Sequence, residues 1–302
     1  LNIGLLDVDG HNWPNLCLMK LSAWHKARGD CVTWWDPAGR YDRVYKSRVF
    51  TDTYSRDSFA VTNAGEVIQG GTGYGPGPDL PDEVEHSYPD YSIYPQFSDA
   101  AYGFLSRGCS RNCGFCIVSG KEGRQSRRVA DLSEFWDGQK EIKLLDANLL
   151  ACPDHETLLS QLAQSGAWVD FTQGLDIRLI TPDNMALLNR VRTKAVHFAW
   201  DDPTADLIPR FRRFLDLTNI RDPRRRLVYV LTNYNSTHAQ DLYRVTALRD
   251  LGFSPYVMVY ERPSAPKITR QLQRWVNNRR IFHTVKQFAD YIPTKTGGNS
   301  HA

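Results

Sequence analysis

Cysteine is scarce in this sequence, and what there is does not suit a disulfide framework. Six cysteines occur in 302 residues, and three of them share one short stretch. That usage fits a reducing compartment rather than a stapled secreted fold. Cys17, Cys31 and Cys152 are scattered and read as buried small hydrophobes. No apolar run approaches the roughly 20 residues of a membrane span, so no membrane partner is expected. Leu1-Asn2-Ile3-Gly4-Leu5-Leu6 reads as a strand pattern lacking a basic leader, so no signal peptide is expected in it. The expected location is the cytoplasm. A dominant charge is lacking too, because the net formal charge is only +3. Arginines are dense around 210–213, 221–226 and 270–280, and read as solvated faces and loops. An RNA partner is kept as a weaker alternative. Hydrophobic residues at 41% and charged residues at 24% suit a globular chain long enough for two domains.

The most specific feature is the loop Arg107-Gly108-Cys109-Ser110-Arg111-Asn112-Cys113-Gly114-Phe115-Cys116. It follows the apolar run 101–106, which reads as a strand. Gly108 and Gly114 let the backbone fold tightly, so three thiolates are expected to converge on one point. Such a set wants a soft metal or an iron–sulfur cluster. A structural zinc would need a fourth ligand, usually in a second paired motif, and no second C-x2-C exists.

C-x3-C-x2-C with an aromatic residue before the third cysteine resembles the cluster loop of radical SAM enzymes. The resemblance implies that Cys109, Cys113 and Cys116 hold three irons of a 4Fe-4S cluster. The fourth iron would be chelated by S-adenosylmethionine, whose reductive cleavage gives a 5′-deoxyadenosyl radical. It also implies an electron donor such as flavodoxin or ferredoxin. Phe115 would shield the cluster or offer backbone contact to adenine.

The pattern along the chain is α/β throughout. Residues 2–9, 31–35, 42–50 and 66–69 read as strands, the last running into Gly70-Gly71-Thr72-Gly73-Tyr74-Gly75. Pro14 is placed at the first position of a helix that stops at Gly29. These units suggest a small Rossmann-like open sheet. Residues 76–95 read as a linker with only local structure. From Ala101 onward, strand and helix alternate six times. The strands are 101–106, 141–145, 168–172, 195–200, 227–231 and 256–260. The first helix is expected near Leu132–Trp136, the second from Pro153, and the fourth at Asp202-Pro203. Thr181 with Pro182, and Thr237 with Gln240, mark the third and fifth helix starts. The six units resemble the partial (β/α)6 TIM-type barrel of radical SAM proteins. An amphipathic tail helix with Ile268, Leu272, Trp275 and Val276 follows, and residues 294–302 read as frayed. The expected division is therefore 1–97, 98–262 and 263–302.

Sites in parallel α/β barrels form at the C-terminal strand ends. After the second strand come Asp146 and Asn148, where the resemblance implies contact with the amino group of S-adenosylmethionine. The usual Gly-Gly-Glu is missing there. After the third come Gln173, Asp176 and Arg178, polar groups suited to ribose hydroxyls and a carboxylate. Asp201 follows the fourth, and Asp202 is equally a helix cap. Lys121–Arg124 reads as a solvated loop, and His197 as a hydrogen-bonded core residue. The substrate is not named by any of these residues.

The N-terminal sheet is similar to the cobalamin-binding domains that precede some radical SAM barrels. Asp9 and His11 match the spacing of a cobalt-ligating motif, but Pro14 stands where that motif has glycine. Cobalamin is therefore not expected to be required. A cobalamin-dependent methyltransferase and a zinc-bearing nucleic-acid module stand as the alternatives.

Overall fold

A computed structural model describes residues 1–75, 77 and 79–293. The chain opens on β1 (Asn2–Asp7), α1 (Leu16–Ala27), β2 (Cys31–Trp34), β3 (Tyr41–Ser47) and β4 (Ala64–Gly70). These strands form a parallel sheet of order β2-β1-β3-β4. Ile3 and Leu5 pack against Leu18 and Leu21 of α1, which supplies the one long crossover helix here. The helix starts later than its proline suggests. Asn15 is its cap, accepting from Leu18 N at 3.2 Å, so Pro14 lies outside.

The segment expected to be a linker is packed. It holds α2 (Asp82–Glu85) and short 3₁₀ turns, with Val84 and Tyr94 buried. The Tyr94 hydroxyl donates to Asp7 at 2.7 Å, tying the segment to the end of β1. Tyr91 bonds both Tyr102 N, as acceptor, and Phe135 O, as donor. Local propensity made this stretch look loose; its aromatic side chains make it core.

The second sheet contains β5 (Ala100–Gly103), β8 (Glu141–Leu144), β9 (Trp168–Phe171), β10 (Thr193–Ala199), β11 (Arg226–Thr232) and β12 (Ser254–Val259). All neighbours are parallel, in the order β12-β11-β10-β9-β8-β5. Between β5 and β8 the chain makes a two-stranded hairpin, β6 (Ser106–Arg107) with β7 (Arg127–Arg128), and one short helix, α3 (Val118–Lys121). The helix expected near Leu132–Trp136 is only a 3₁₀ turn over Leu132–Glu134, closed by an Asp131/Glu134 capping box. Phe135, at φ −143°, leaves the helical region directly after the turn.

The remaining crossovers are helical: α4 (His155–Ser165), α5 (Pro182–Leu188), α6 (Ile208–Leu217) and α7 (His238–Asp250). The capping boxes at Thr181 and Thr237 form as expected. Asp202 does not open α6. It accepts from Thr204 N at 2.9 Å in a tight turn, and the helix starts beyond it. Val169, Phe171, Val196, Phe198, Val228 and Val230 pack one face of the sheet against these helices in one large core. The tail forms α8 (Lys267–Asn277) and α9 (Arg279–Thr284). Leu272, Trp275 and Val276 are buried as expected, while Ile268 is exposed and Thr269 takes its place. Asn277 accepts from Val257 N at 2.8 Å and donates to Val257 O at 3.1 Å, so the tail satisfies the open edge of β12. The stretch 294–302 lies outside the described residues. No helix among the described residues is long and apolar enough to cross a membrane.

Candidate functional site

The cysteine loop is shaped from below by a buried carboxylate. Asp146, at the end of β8, accepts from Leu105 N at 3.1 Å, Ser106 N at 2.5 Å and Ser106 Oγ at 2.7 Å. Full burial raises its carboxyl to about 6, even against these three donors. Its oxygens are thus engaged in turning the chain into the loop. Gly108 has φ +91, and a Cβ there would collide with the carbonyl of Gln125. Cys109 N donates to Gly123 O at 3.2 Å, and Cys116 N to Cys113 O at 3.0 Å. The loop therefore folds back on itself rather than running across the surface.

Cys109, Cys113 and Cys116 are all free thiols; the first two are half-buried and the third exposed. Desolvation pushes the Cys113 thiol up. Asn148 Nδ2 lies 3.9 Å from the Cys109 sulfur, while its Oδ1 is buried without a partner among the described residues. The expected convergence is incomplete. Among the described residues no three His, Cys, Asp or Glu side chains are drawn together tightly enough to hold a metal ion. The donor set itself, three free sulfurs on one glycine-hinged loop, suits a thiolate-ligated iron–sulfur cluster. A zinc site would need a further ligand that no neighbouring residue brings.

Residues from the strand ends surround this loop. Arg111 Nε stands 3.8 Å from Asp176 Oδ2. Asp176 Oδ1 accepts from Arg178 N at 3.0 Å and Arg178 Nε at 2.7 Å. Gln173 is exposed at the end of β9. Asp201 is half-buried and accepts from Leu231 N at 3.2 Å; desolvation holds its carboxyl above the usual range. Lys121 is not merely solvated. Its Nζ donates to Thr72 at 2.6 Å, and Glu122 accepts from Gly108 N at 3.0 Å. His197 is the expected core residue, with Nδ1 2.9 Å from Phe171 O.

Several participants were not legible in sequence. Phe115 meets Tyr234 edge-on at 5.5 Å, and Tyr234 meets Tyr260 at 5.0 Å. A Cβ on Gly114 would stand 2.6 Å from the Tyr234 hydroxyl, so the loop after β11 lies directly against the cysteine loop. Arg244, fully buried on α7, donates to Trp200 O at 2.6 Å, Leu231 O at 2.9 Å and Asp241 at 2.6 Å. It clamps the ends of β10 and β11. Its distance in sequence from both carbonyls hid this role. Asn112, Asn233 and Glu261, all in loops at the same end of the sheet, have left-handed φ of 46°, 63° and 44°. Such strain concentrates where a fold holds a site.

The N-terminal sheet offers a second strand-end crevice, at the β1/β3 switch point. Here the chain bonds to itself. Asp9 accepts from Val49 N at 2.6 Å, and Asn15 donates to Ser47 Oγ at 2.8 Å. Arg48 donates to Gly73 O at 2.5 Å and lies over the Tyr74 ring. His11 has φ 60° and packs on Trp34 at 4.0 Å. The floor of this crevice is lined by the chain's own groups. Above it, Trp13, Val49, Phe50 and Tyr54 are exposed. Cys31 is exposed as well, against the expectation of a buried thiol, while Cys152 is buried.

No family model and no curated protein matches the chain. Among solved structures, the fold is similar to the radical S-adenosylmethionine methyltransferase TsrM from Kitasatospora setae with cobalamin and a 4Fe-4S cluster bound. The TM-score is 0.60 at 11% identity, over 85% of this chain and 75% of that one. A second TsrM structure from Kitasatospora setae, with tryptophan substrate and the analogue aza-SAM bound, aligns with TM-score 0.43 at 14% identity, over 85% and 67% of the chains. At such identities the likeness is one of fold.

Proposed function

We propose that this chain is a radical S-adenosylmethionine enzyme acting on a substrate held against its second sheet. The observation that carries the reading is the three-cysteine loop seated at the C-terminal ends of a sequentially ordered parallel sheet. The order of that sheet suits a partial (β/α)6 barrel. Separate hydrophobic cores support setting a Rossmann-like unit at 1–97 apart from the barrel at 98–262, while the helical extension at 263–302 adds Leu272, Trp275, Val276 and Phe282 to the barrel's own core. The fold likeness to TsrM supports the same class.

In this reading Cys109, Cys113 and Cys116 hold the 4Fe-4S cluster. When bound, the cluster supplies the electron that breaks a carbon–sulfur bond of S-adenosylmethionine. Three ligands suit that chemistry because one coordination position must stay open. Asn148 offers an amide to the Cys109 sulfur, a hydrogen bond of the kind that tunes such clusters. Phe115 and Tyr234 pack edge-on against each other at one side of the loop. Asp176, Arg178 and Gln173 face the cofactor's polar parts, with Asp201 beside them. Asp146 acts indirectly, by holding the turn at Ser106. The electron would come from a carrier such as flavodoxin or ferredoxin.

A second reading is favoured by the fold likeness to a cobalamin-bearing methyltransferase: methyl transfer through cobalamin. Pro14, standing where the cobalt-ligating motif has glycine, speaks against a histidine-ligated form of it. Hydroxocobalamin reconstitution followed by desalting decides between them. Near-stoichiometric retained corrin absorbance would favour the second reading, and its loss would favour the first. The primary reading is tested by anaerobic reconstitution with iron and sulfide. About four of each per chain are expected; stoichiometric zinc without sulfide would overturn it.

A further inference from the structure

The face of the second sheet turned away from the helices is unusually polar. Parallel sheets are ordinarily apolar on both faces. Here the helix-covered face obeys that rule, and the other carries Lys143 on β8, Asp170 on β9, His197 on β10 and Tyr229 on β11. Lys143 and Asp170 are register partners on adjacent strands, so opposite charges stand side by side. They do not pair. Lys143 Nζ lies 5.3 Å over the Tyr102 ring instead. Asp170 Oδ1 is buried with no hydrogen-bond partner among the described residues. The nearest ring nitrogen, His197 Nδ1, is 3.6 Å from it and is already committed to Phe171 O.

The contrast with the row below is instructive. There Lys194 reaches across to Glu141 and bonds both oxygens at 2.7 Å. The chain closes an ion pair in that row and, further in, leaves Lys143 on a ring face and one Asp170 oxygen without a hydrogen-bond donor among the described residues. A buried carboxylate oxygen without a donor is costly unless something else supplies one. Burial raises the Asp170 carboxyl accordingly. Beside these charges the rings form an aromatic corner. His197 stacks on Tyr229 with an 8° interplanar angle, and Tyr256 meets Tyr229 edge-on at 6.0 Å. Tyr256 and Met258 are exposed, so the face is open from the β12 side.

We propose that this face binds a small zwitterion bearing a flat side group, its ammonium on Asp170, its anionic group on Lys143 and the flat group in the corner between Tyr229 and Tyr256. Calling that zwitterion the substrate rests on the radical enzyme reading; the binding itself does not. Asp170 and Lys143 each then gain an ionic partner, and the ligand's flat group covers the exposed Tyr256 ring.

The test uses three probes on the full chain: L-phenylalanine, 2-phenylethylamine and 3-phenylpropanoate. They share a phenyl group and differ in which charges they carry. Calorimetry or ligand-observed NMR should find L-phenylalanine bound at least about tenfold more tightly than either single-charge probe. Asp170→Asn should reduce it to the level of phenylpropanoate, and Lys143→Met to that of phenylethylamine. Equal binding of the three probes, no binding of any, or unchanged preference in both variants would overturn the proposal. The wild-type ranking decides even if a variant fails to fold. Iron and sulfide content of the same preparation reports separately on the enzyme reading, so either can fail alone.

Discussion

Arg111, between the first two cysteines of the loop, stands with Nε 3.8 Å from Asp176 Oδ2 at the end of β9. Asp176 is buried at this contact, with its side chain only 6% exposed, while Arg111 is largely exposed. The carboxylate also caps a 3₁₀ turn and holds Arg178 at 2.7 Å. One aspartate thus links the cysteine loop to the polar strand end that would face the cofactor.

Replacing Asp176 with Ala should therefore act twice. Loss of the cap costs stability by about 1 kcal/mol. Loss of the anchor for Arg111 and Arg178 should weaken S-adenosylmethionine binding by about tenfold, near 1.4 kcal/mol. Arg111→Ala should share the second effect without the first. Equilibrium dialysis and urea unfolding on both variants check this. Unchanged cofactor affinity in both would remove the loop-to-strand link from the account.

Arg244 and Asp241 form a buried ion pair, with side chains 1% and 3% exposed. Arg244→Met leaves Asp241 charged and uncompensated, and frees the carbonyls of Trp200 and Leu231. Breaking such a pair costs about 3–5 kcal/mol. The variant should show a markedly lower urea midpoint and a displaced Asp201, read as reduced iron retention. A loss under about 1 kcal/mol would show that the clamp is dispensable.

Asp146 gives a pH signature. Its folded carboxyl is raised to about 6 from the ordinary 3.8. Below about pH 4 both states are protonated, so the group costs nothing. Between about 4 and 6 the unfolded chain ionises first, and stability falls as pH rises. Above 6 the loss is complete, about 3 kcal/mol. Asp146→Asn cannot ionise, so its unfolding free energy should lack this fall. The advantage of the wild type over Asn should be largest near pH 4 and shrink towards pH 7. A constant difference across that range would contradict the assignment.

The sheet strands and the cappings at Thr181 and Thr237 were legible because each is a local pattern of a few residues. The cysteine loop was legible for the same reason. What sequence could not show was pairing at a distance. Arg111 with Asp176, Gly114 with Tyr234 and Arg244 with two strand-end carbonyls each join segments far apart in the chain. The segment around Tyr94 misled in the other direction. Its prolines and aspartates suggested a loose linker, but a buried tyrosine hydroxyl on Asp7 fixes it to the first sheet. The unit at Leu132–Trp136 failed because a brief apolar cluster cannot distinguish a 3₁₀ turn from a helix.

The central claim is that the three cysteines support reductive cleavage of S-adenosylmethionine. The direct measurement is 5′-deoxyadenosine formed by the anaerobically reconstituted chain with S-adenosylmethionine and dithionite. The wild type should form it, Cys113→Ala should form none and hold little iron, and Cys152→Ala should match the wild type. Deoxyadenosine and full iron content in Cys113→Ala, or no deoxyadenosine from a wild type carrying its full cluster, would contradict the account.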